Sequence, residues 1–266
     1  MLVNASILKG FVIRASDGDL GTVVEPYFDD ETWAIRYFTV DTGSWLGGRR
    51  VLISPMFVLG ADWQGKCLDV ALTKKQVEDS PSIDTNLPVS RQHEATYLGY
   101  YGYPNYWDGP YLWGPSYYPM GLAVTAPTFV DPAEDGTRTA SADSHLRSAE
   151  AVTGYSIDAA DGEIGHVCGF VVDDEAWAIR YIEVATRNWW PGKKVLFSPG
   201  WVERVSWPDA TVHVGLLREA IQSAPAYDEA MPISREYENL LHVHYGRPPY
   251  WLNKVEQEPA LTLSDL

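Results

Sequence analysis

Sliding the chain against itself by 144 residues brings Gly10–Trp107 onto Gly154–Trp251 without a gap, with 38 of the 98 aligned positions identical. Asp17-Gly18 meets Asp161-Gly162, Trp45 meets Trp189, Ser54-Pro55 meets Ser198-Pro199, and Tyr106-Trp107 meets Tyr250-Trp251. A match of this length is a duplication. One unit must fold in both halves, and what survives in both is what that unit requires. The 266 residues then divide into a first unit (1–80), its helix and PNYW tail (81–107), an aromatic and flexible connection (108–148), a second unit (149–225), its helix and PPYW tail (226–251), and a C-terminal tail (252–266).

Each unit opens as an all-β meander. GFVIRAS and TVVEPYF flank Asp17-Gly18, and GYSIDAA and HVCGFVV flank Asp161-Gly162; such a pair tolerates the positive φ of a tight hairpin. DDETWAIRYF at 29–38 then returns as DDEAWAIRYI at 173–182. The alternation predicts a strand over 33–40, a turn (SWLGG or NWWPG), a strand (RRVLI or KKVLF) stopped by Pro55 or Pro199, and a last strand (CLDVAL or TVHVGL) before a short helix. Thr73 with Gln76 predicts a capping box, which Leu217 denies the second unit. Five or six short strands with tight turns predict a small closed barrel, since closure removes exposed edges. Beyond each barrel, Ser90 and Ser234 predict helix N-caps and Gly102 and Gly246 the stops; Tyr237, Leu240, Leu241 and His244 fall on one face of the second helix.

Net charge is −16, which disfavours nucleic acid and an anionic membrane surface and favours basic protein partners. The start, MLVNASILKGFVIRAS, reads as neither a signal peptide nor a span, and no run of about 18 apolar residues predicts membrane insertion. Cys67 and Cys168 form no framework, which suits a reducing cytoplasm.

Asp29, Asp30 and Glu31, repeated as Asp173, Asp174 and Glu175, admit two readings: a hard-cation site, or a turn in which Asp bonds its own backbone. Consecutive acids at a turn diverge, which favours the turn; no metal ligand is assigned. Arg36 and Arg180 lie within a strand and call for a carboxylate from the hairpin acids or Asp41; the alternative reading is anion or partner binding at a barrel mouth. Trp33, Ile35 and Tyr37, with Trp177, Ile179 and Tyr181, form the other face of that strand. A strand apolar on both faces is covered on both, so the post-barrel helix, the other unit or another protein must lie over them; the chain's own tail is the expected cover. The run 96–121, TYLGYYGYPNYWDGPYLWGPSYYPMG, contains Tyr106, Trp107, Tyr111 and Trp113. It either packs across the barrels or forms a docking surface, as do Tyr250 and Trp251 in the second tail. The stretch 125–144 reads as a flexible linker. His242 and His244 do not share a helical face, so no metal pair is expected. No nucleophile elbow, P-loop or Gly-rich dinucleotide motif occurs, so no catalytic residue and no cofactor is assigned.

The run from the Gly-rich first strand through DGDLG or DGEIG to DDExWAIRY and the strand ending in Ser-Pro resembles the PRC-barrel family, over about residues 6–80 and 150–225. That family includes the cytoplasmic domain of the photosynthetic reaction-centre H subunit and a domain of a ribosome-maturation factor. The resemblance implies a mainly β protein of two small barrels in tandem, each followed by short helices and an aromatic tail, acting as a protein-docking module without chemistry of its own. The expected role is an accessory subunit on the cytoplasmic face of a membrane complex, peripheral to the inner membrane through a partner. Two alternatives are an auxiliary reaction-centre subunit beside the H subunit, and a small-ligand or divalent-metal-binding protein using the acidic hairpins.

Overall fold

The computed structural model describes residues 1–81, 90–119, 145–186 and 193–255, with side chains to Leu252. It is mainly β, with two seven-stranded sheets and short helices. The first repeat supplies β1 (Leu2–Asn4), β2 (Val12–Ala15), β3 (Gly18–Asp29), β4 (Ile35–Asp41), β5 (Arg50–Ile53), β6 (Val58–Asp62), β7 (Cys67–Val70), α1 (Lys74–Glu78) and α2 (Arg91–Tyr100). The second supplies β8 (Leu146–Ser148), α3 (Ala149–Val152), β9 (Ser156–Ala159), β10 (Gly162–Asp173), β11 (Ala178–Thr186), β12 (Lys194–Phe197), β13 (Val202–Ser206), β14 (Thr211–Val214), α4 (Arg218–Ser223), α5 (Arg235–Tyr245) and α6 (Tyr250–Val255).

One sheet runs β5-β4-β3-β2-β7-β6 and the other β12-β11-β10-β9-β14-β13, with parallel pairing where β2 meets β7 and β9 meets β14. Among the described residues no pairing joins the two ends of either sheet, so the strands do not close into a hydrogen-bonded ring. Alternation sets the register: β4 is buried on both faces from Ile35 to Val40, while β6 is exposed from Leu59 onward. The capping box at Thr73 forms with both bonds in place, and Leu217 caps α4 with no side-chain bond. Ser90 and Ser234 cap α2 and α5, and Gly246 ends α5 in the left-handed conformation.

Sequence patterning missed β1 and β8, three residues each. Each adds to the long second strand of the other repeat: Leu2 pairs with Asp173 on β10, and Leu146 with Asp29 on β3. These pairs are related by the same 144-residue shift as the sequence, so the exchange is reciprocal. The two copies also meet at an Ala34–Ala178 bridge, where Ile35 donates its N–H to the Trp177 carbonyl and Ile179 to that of Trp33. The chain separates into two compact units that cut across the repeat: residues 1–154 with 169–182, and residues 155–168 with 183–266. All of the exchange contacts lie within the first unit.

Two elements differ from expectation. The strands after the acidic turns start at Ile35 and Ala178 rather than at the tryptophans, because Trp33 and Trp177 adopt φ of 58° and 49° and close the turn. In α5 the buried residues are Glu238, Leu241, His242 and Tyr245, whereas Leu240 is exposed. The inward stripe is turned because Glu238 is held inside by Tyr250 of the tail and by Arg235 at the start of α5.

Candidate functional site

The acidic turn folds around Asp29. Its Oδ1 accepts the N–H groups of Glu31 (3.0 Å) and Thr32 (2.9 Å), and its carbonyl accepts that of Trp33 (2.7 Å). Asp173 repeats the arrangement, accepting from Glu175 (3.1 Å) and Ala176 (3.4 Å). A bulky residue at positive φ is strained by about 1–3 kcal/mol, and ring packing offsets it: Trp33 stacks on Phe28 at 5.2 Å and Trp177 meets Phe38 edge-on at 5.0 Å. The second acids, each 14% exposed at the side chain, have different partners. Asp30 accepts from Arg147 Nε at 2.8 Å, burial pushing its pKa up against the pull of that guanidinium, and Asp174 pairs with the Met1 amino group.

Arg36 is 1% exposed. Its guanidinium donates to the Leu112 carbonyl (2.7 Å) and Thr32 Oγ1 (3.1 Å) and lies 3.8 Å from the Tyr106 ring centre and 4.7 Å from that of Trp113. The expected carboxylate is present, since Asp29 Oδ2 is 3.7 Å from Nε, but that is a charge contact beyond hydrogen-bond range. Burial lowers the pKa of Arg36. Trp113 in turn donates its indole N–H to the Ala176 carbonyl at 2.8 Å.

Behind the arginine lies a buried acid. Glu94 of α2 accepts from the Tyr106 hydroxyl at 2.7 Å and pairs with His145 Nε2 at 2.6 Å. Tyr37 is packed beside it, and burial pushes the Tyr37 and Tyr106 hydroxyls well above the usual range, so both stay protonated. Arg91 lies 4.7 Å from the Trp107 ring centre and 3.6–3.7 Å from the carboxylates of Glu31 and Asp29. The second tail repeats this latch: Tyr250 donates to Glu238 (2.9 Å), and Arg235 binds Glu238 (2.9 Å) while lying 4.0 Å from the Trp251 ring centre. Arg180 differs from Arg36, reaching Asp173 Oδ2 directly through Nε (3.1 Å) and Nη2 (2.7 Å).

The cover over Tyr37 is the chain's own α2: Tyr97 meets it edge-on at 5.5 Å and donates to the Leu52 carbonyl at 2.6 Å. Ile35, Tyr37, Trp177, Ile179 and Tyr181 are buried, as are Tyr106 and Trp113, while Trp107, Tyr111, Tyr250 and Trp251 are half-buried. Within 96–119 Tyr97, Leu98, Tyr101, Tyr103, Tyr106 and Trp113 are buried, while Asp108, Gly109, Pro110 and Tyr118 are exposed; the linker reading of 125–144 falls outside the described residues. Arg91, Glu94, Arg235, Glu238 and His145 were not singled out from the sequence. The first four recur at the 144-residue spacing and were legible there, but an acid in a first helical turn reads as a partner of the helix dipole.

Chemically, this site is a set of buried charges engaged with one another. The thiols are not activated either: burial raises Cys67, and burial with Glu183 nearby pushes Cys168 up to about 12, so both remain protonated. His242 sits between the rings of Trp201 (5.4 Å) and Trp251 (5.2 Å), and His244 contacts the Ala220 carbonyl at 2.8 Å. Among the described residues no group of three or more His, Cys, Asp or Glu is placed to hold a metal, and no helix is long and apolar enough to cross a membrane. No family model matches the chain, and no curated protein matches it.

Proposed function

We propose that the two sheets are PRC-like barrels and that the chain is a non-catalytic docking protein for a partner with a basic surface, acting as an accessory subunit on the cytoplasmic face of a membrane complex. The observation that carries this reading is the outer side of α5. Leu240 and Val243, three residues apart and so on one face, are 56% and 78% exposed while the opposite face is packed. Large apolar side chains left in water on an otherwise anchored helix suit a surface that another protein covers. The charge of −16 favours a basic partner and speeds its approach. The inward use of Arg36, Glu94 and His145 supports a scaffold rather than a reaction centre for chemistry.

The test is co-purification from native cells of the intact chain and of a Leu240→Glu, Val243→Glu variant. One partner in stoichiometric amount with the intact chain, lost from the variant at unchanged thermal stability, is the expected result. Recovery of that partner by both proteins, or of none by the intact chain, contradicts the proposal.

A further inference from the structure

The repeat allows a comparison of the two outermost strands, β6 and β13, which occupy equivalent places at the ends of their sheets. Among the described residues both are paired on one side only, β6 with β7 and β13 with β14, and both carry a register shift after their first residue. Their side chains differ. β13 reads VERVS, so Glu203 and Arg204 guard its edge with charge, a common protection against strand addition. β6 reads VLGAD: Leu59 and Gly60 stand where the guards stand in β13, and Leu59 is 62% exposed. An exposed apolar edge with unpaired main-chain groups is a template for another strand.

Beside this edge lies an open groove of about 460 Å³. Val58 to Ala61, Trp63, Pro119 and Trp177 line it together with Met1, Asp174 and Glu175, and of the two carboxylates Asp174 is already paired with the Met1 amino group. All of these belong to the first unit. Glu31, the counterpart of Glu175, contacts Arg91 at 3.6 Å, whereas Glu175 is exposed and has no ion pair among the described residues. Main-chain donors and acceptors, an apolar trough and an unanswered carboxylate together match an extended peptide with alternating apolar and basic side chains.

We propose that β6 and its groove bind an extended, Lys- or Arg-containing segment of a partner protein by strand addition, the basic side chain answering Glu175. A second copy of this chain is the less fitting occupant, because it brings its own −16 charge to an acidic groove. The inference rests on the docking reading and gives that function a second surface, apart from the outer side of α5, and a ligand class.

The experiment uses the full chain and an end-blocked peptide of about eight residues alternating Val and Lys, long enough for a strand, with a Val/Glu peptide as control. Binding is followed by fluorescence anisotropy, and amide hydrogen exchange is read at residues 58–62. The decisive variant is Leu59→Glu with Gly60→Arg, which installs the guard residues of β13 and leaves the net charge unchanged. The expected result is protection of the β6 amides by the Val/Lys peptide, at least a tenfold loss of affinity in the double variant, about a threefold loss in Glu175→Gln, and no binding of the Val/Glu peptide. Equal affinity of wild type and double variant, no binding at millimolar peptide, or a dimer in sedimentation that the double variant dissolves would each overturn it. Retention of the α5-dependent partner by the double variant leaves the docking function standing while this edge fails.

Discussion

At the scale of single residues, Arg36 and Arg180 occupy equivalent positions but are held differently. Arg36 is enclosed by two rings, a carbonyl and a threonine hydroxyl, whereas Arg180 bonds the Asp173 carboxylate directly through Nε and Nη2. Arg36→Met therefore leaves the Leu112 carbonyl without its donor and the buried Asp29 carboxylate with Arg91, at 3.7 Å, as its remaining ion pair, at an expected loss of about 3–5 kcal/mol in urea unfolding. Arg180→Met is expected to lose less, because the Arg180 and Asp173 side chains are 11% and 10% exposed where those of Arg36 and Asp29 are 2% and 1%; equal losses would count against the enclosure argument. His242 carries a pH dependence. Burial lowers its pKa, so between the ordinary value near about 6.5 and the lowered one the unfolded chain binds more proton than the folded chain. Stability then falls as pH drops through that interval and levels out below it. His242→Leu, which installs the residue found at the equivalent Leu98, should flatten that slope in thermal melts between pH 7 and 5; an unchanged slope assigns it elsewhere.

At the scale of elements, the long second strand of each repeat crosses its neighbour closely at one glycine. A Cβ on Gly21 would lie 2.0 Å from the Asp41 carbonyl oxygen, and one on Gly165 2.1 Å from that of Ala185. Both obstacles are backbone and cannot swing aside. Gly21→Ala is expected to cost about 3 kcal/mol or more, whereas Gly10→Ala, with open space around its Cβ, meets only the strain of its φ of 84°. The difference in denaturation midpoints between the two variants checks this. The helices show what pattern reading can and cannot resolve. N-caps and stops depend on one or two residues and were legible at Ser90, Ser234 and Gly246. The inward face of α5 was not, because it depends on Tyr250 and Arg235 answering Glu238.

At the scale of the whole molecule, duplication does not mean two independent halves. The first compact unit contains residues 145–154 and 169–182 of the second repeat, with β8 on β3 and β1 on β10. Strand edges left open by separation invite aggregation. Residues 1–119 and 145–266 expressed apart are expected to be insoluble or non-cooperative in unfolding, and expressed together to co-purify as one complex. Soluble, sharply melting halves would show that the exchange is dispensable.

The sequence alone determined what depends on neighbours along the chain: the duplication, the Asp-Gly hairpins, the acidic turns, the caps, and the mainly β character. It also showed that the strand begun within DDETWAIRYF needs cover on both faces. Tertiary structure decided which groups meet over long separations. No local pattern specifies that α2 covers Tyr37, that Tyr106 and Trp113 enclose Arg36, or that three-residue strands too short to register as periodic cross from one repeat to the other. The two tryptophans at positive φ belong to this second class. Their conformation is unfavourable by itself and is held by rings and bridges contributed from elsewhere in the fold, which a reading along the chain has no means to supply.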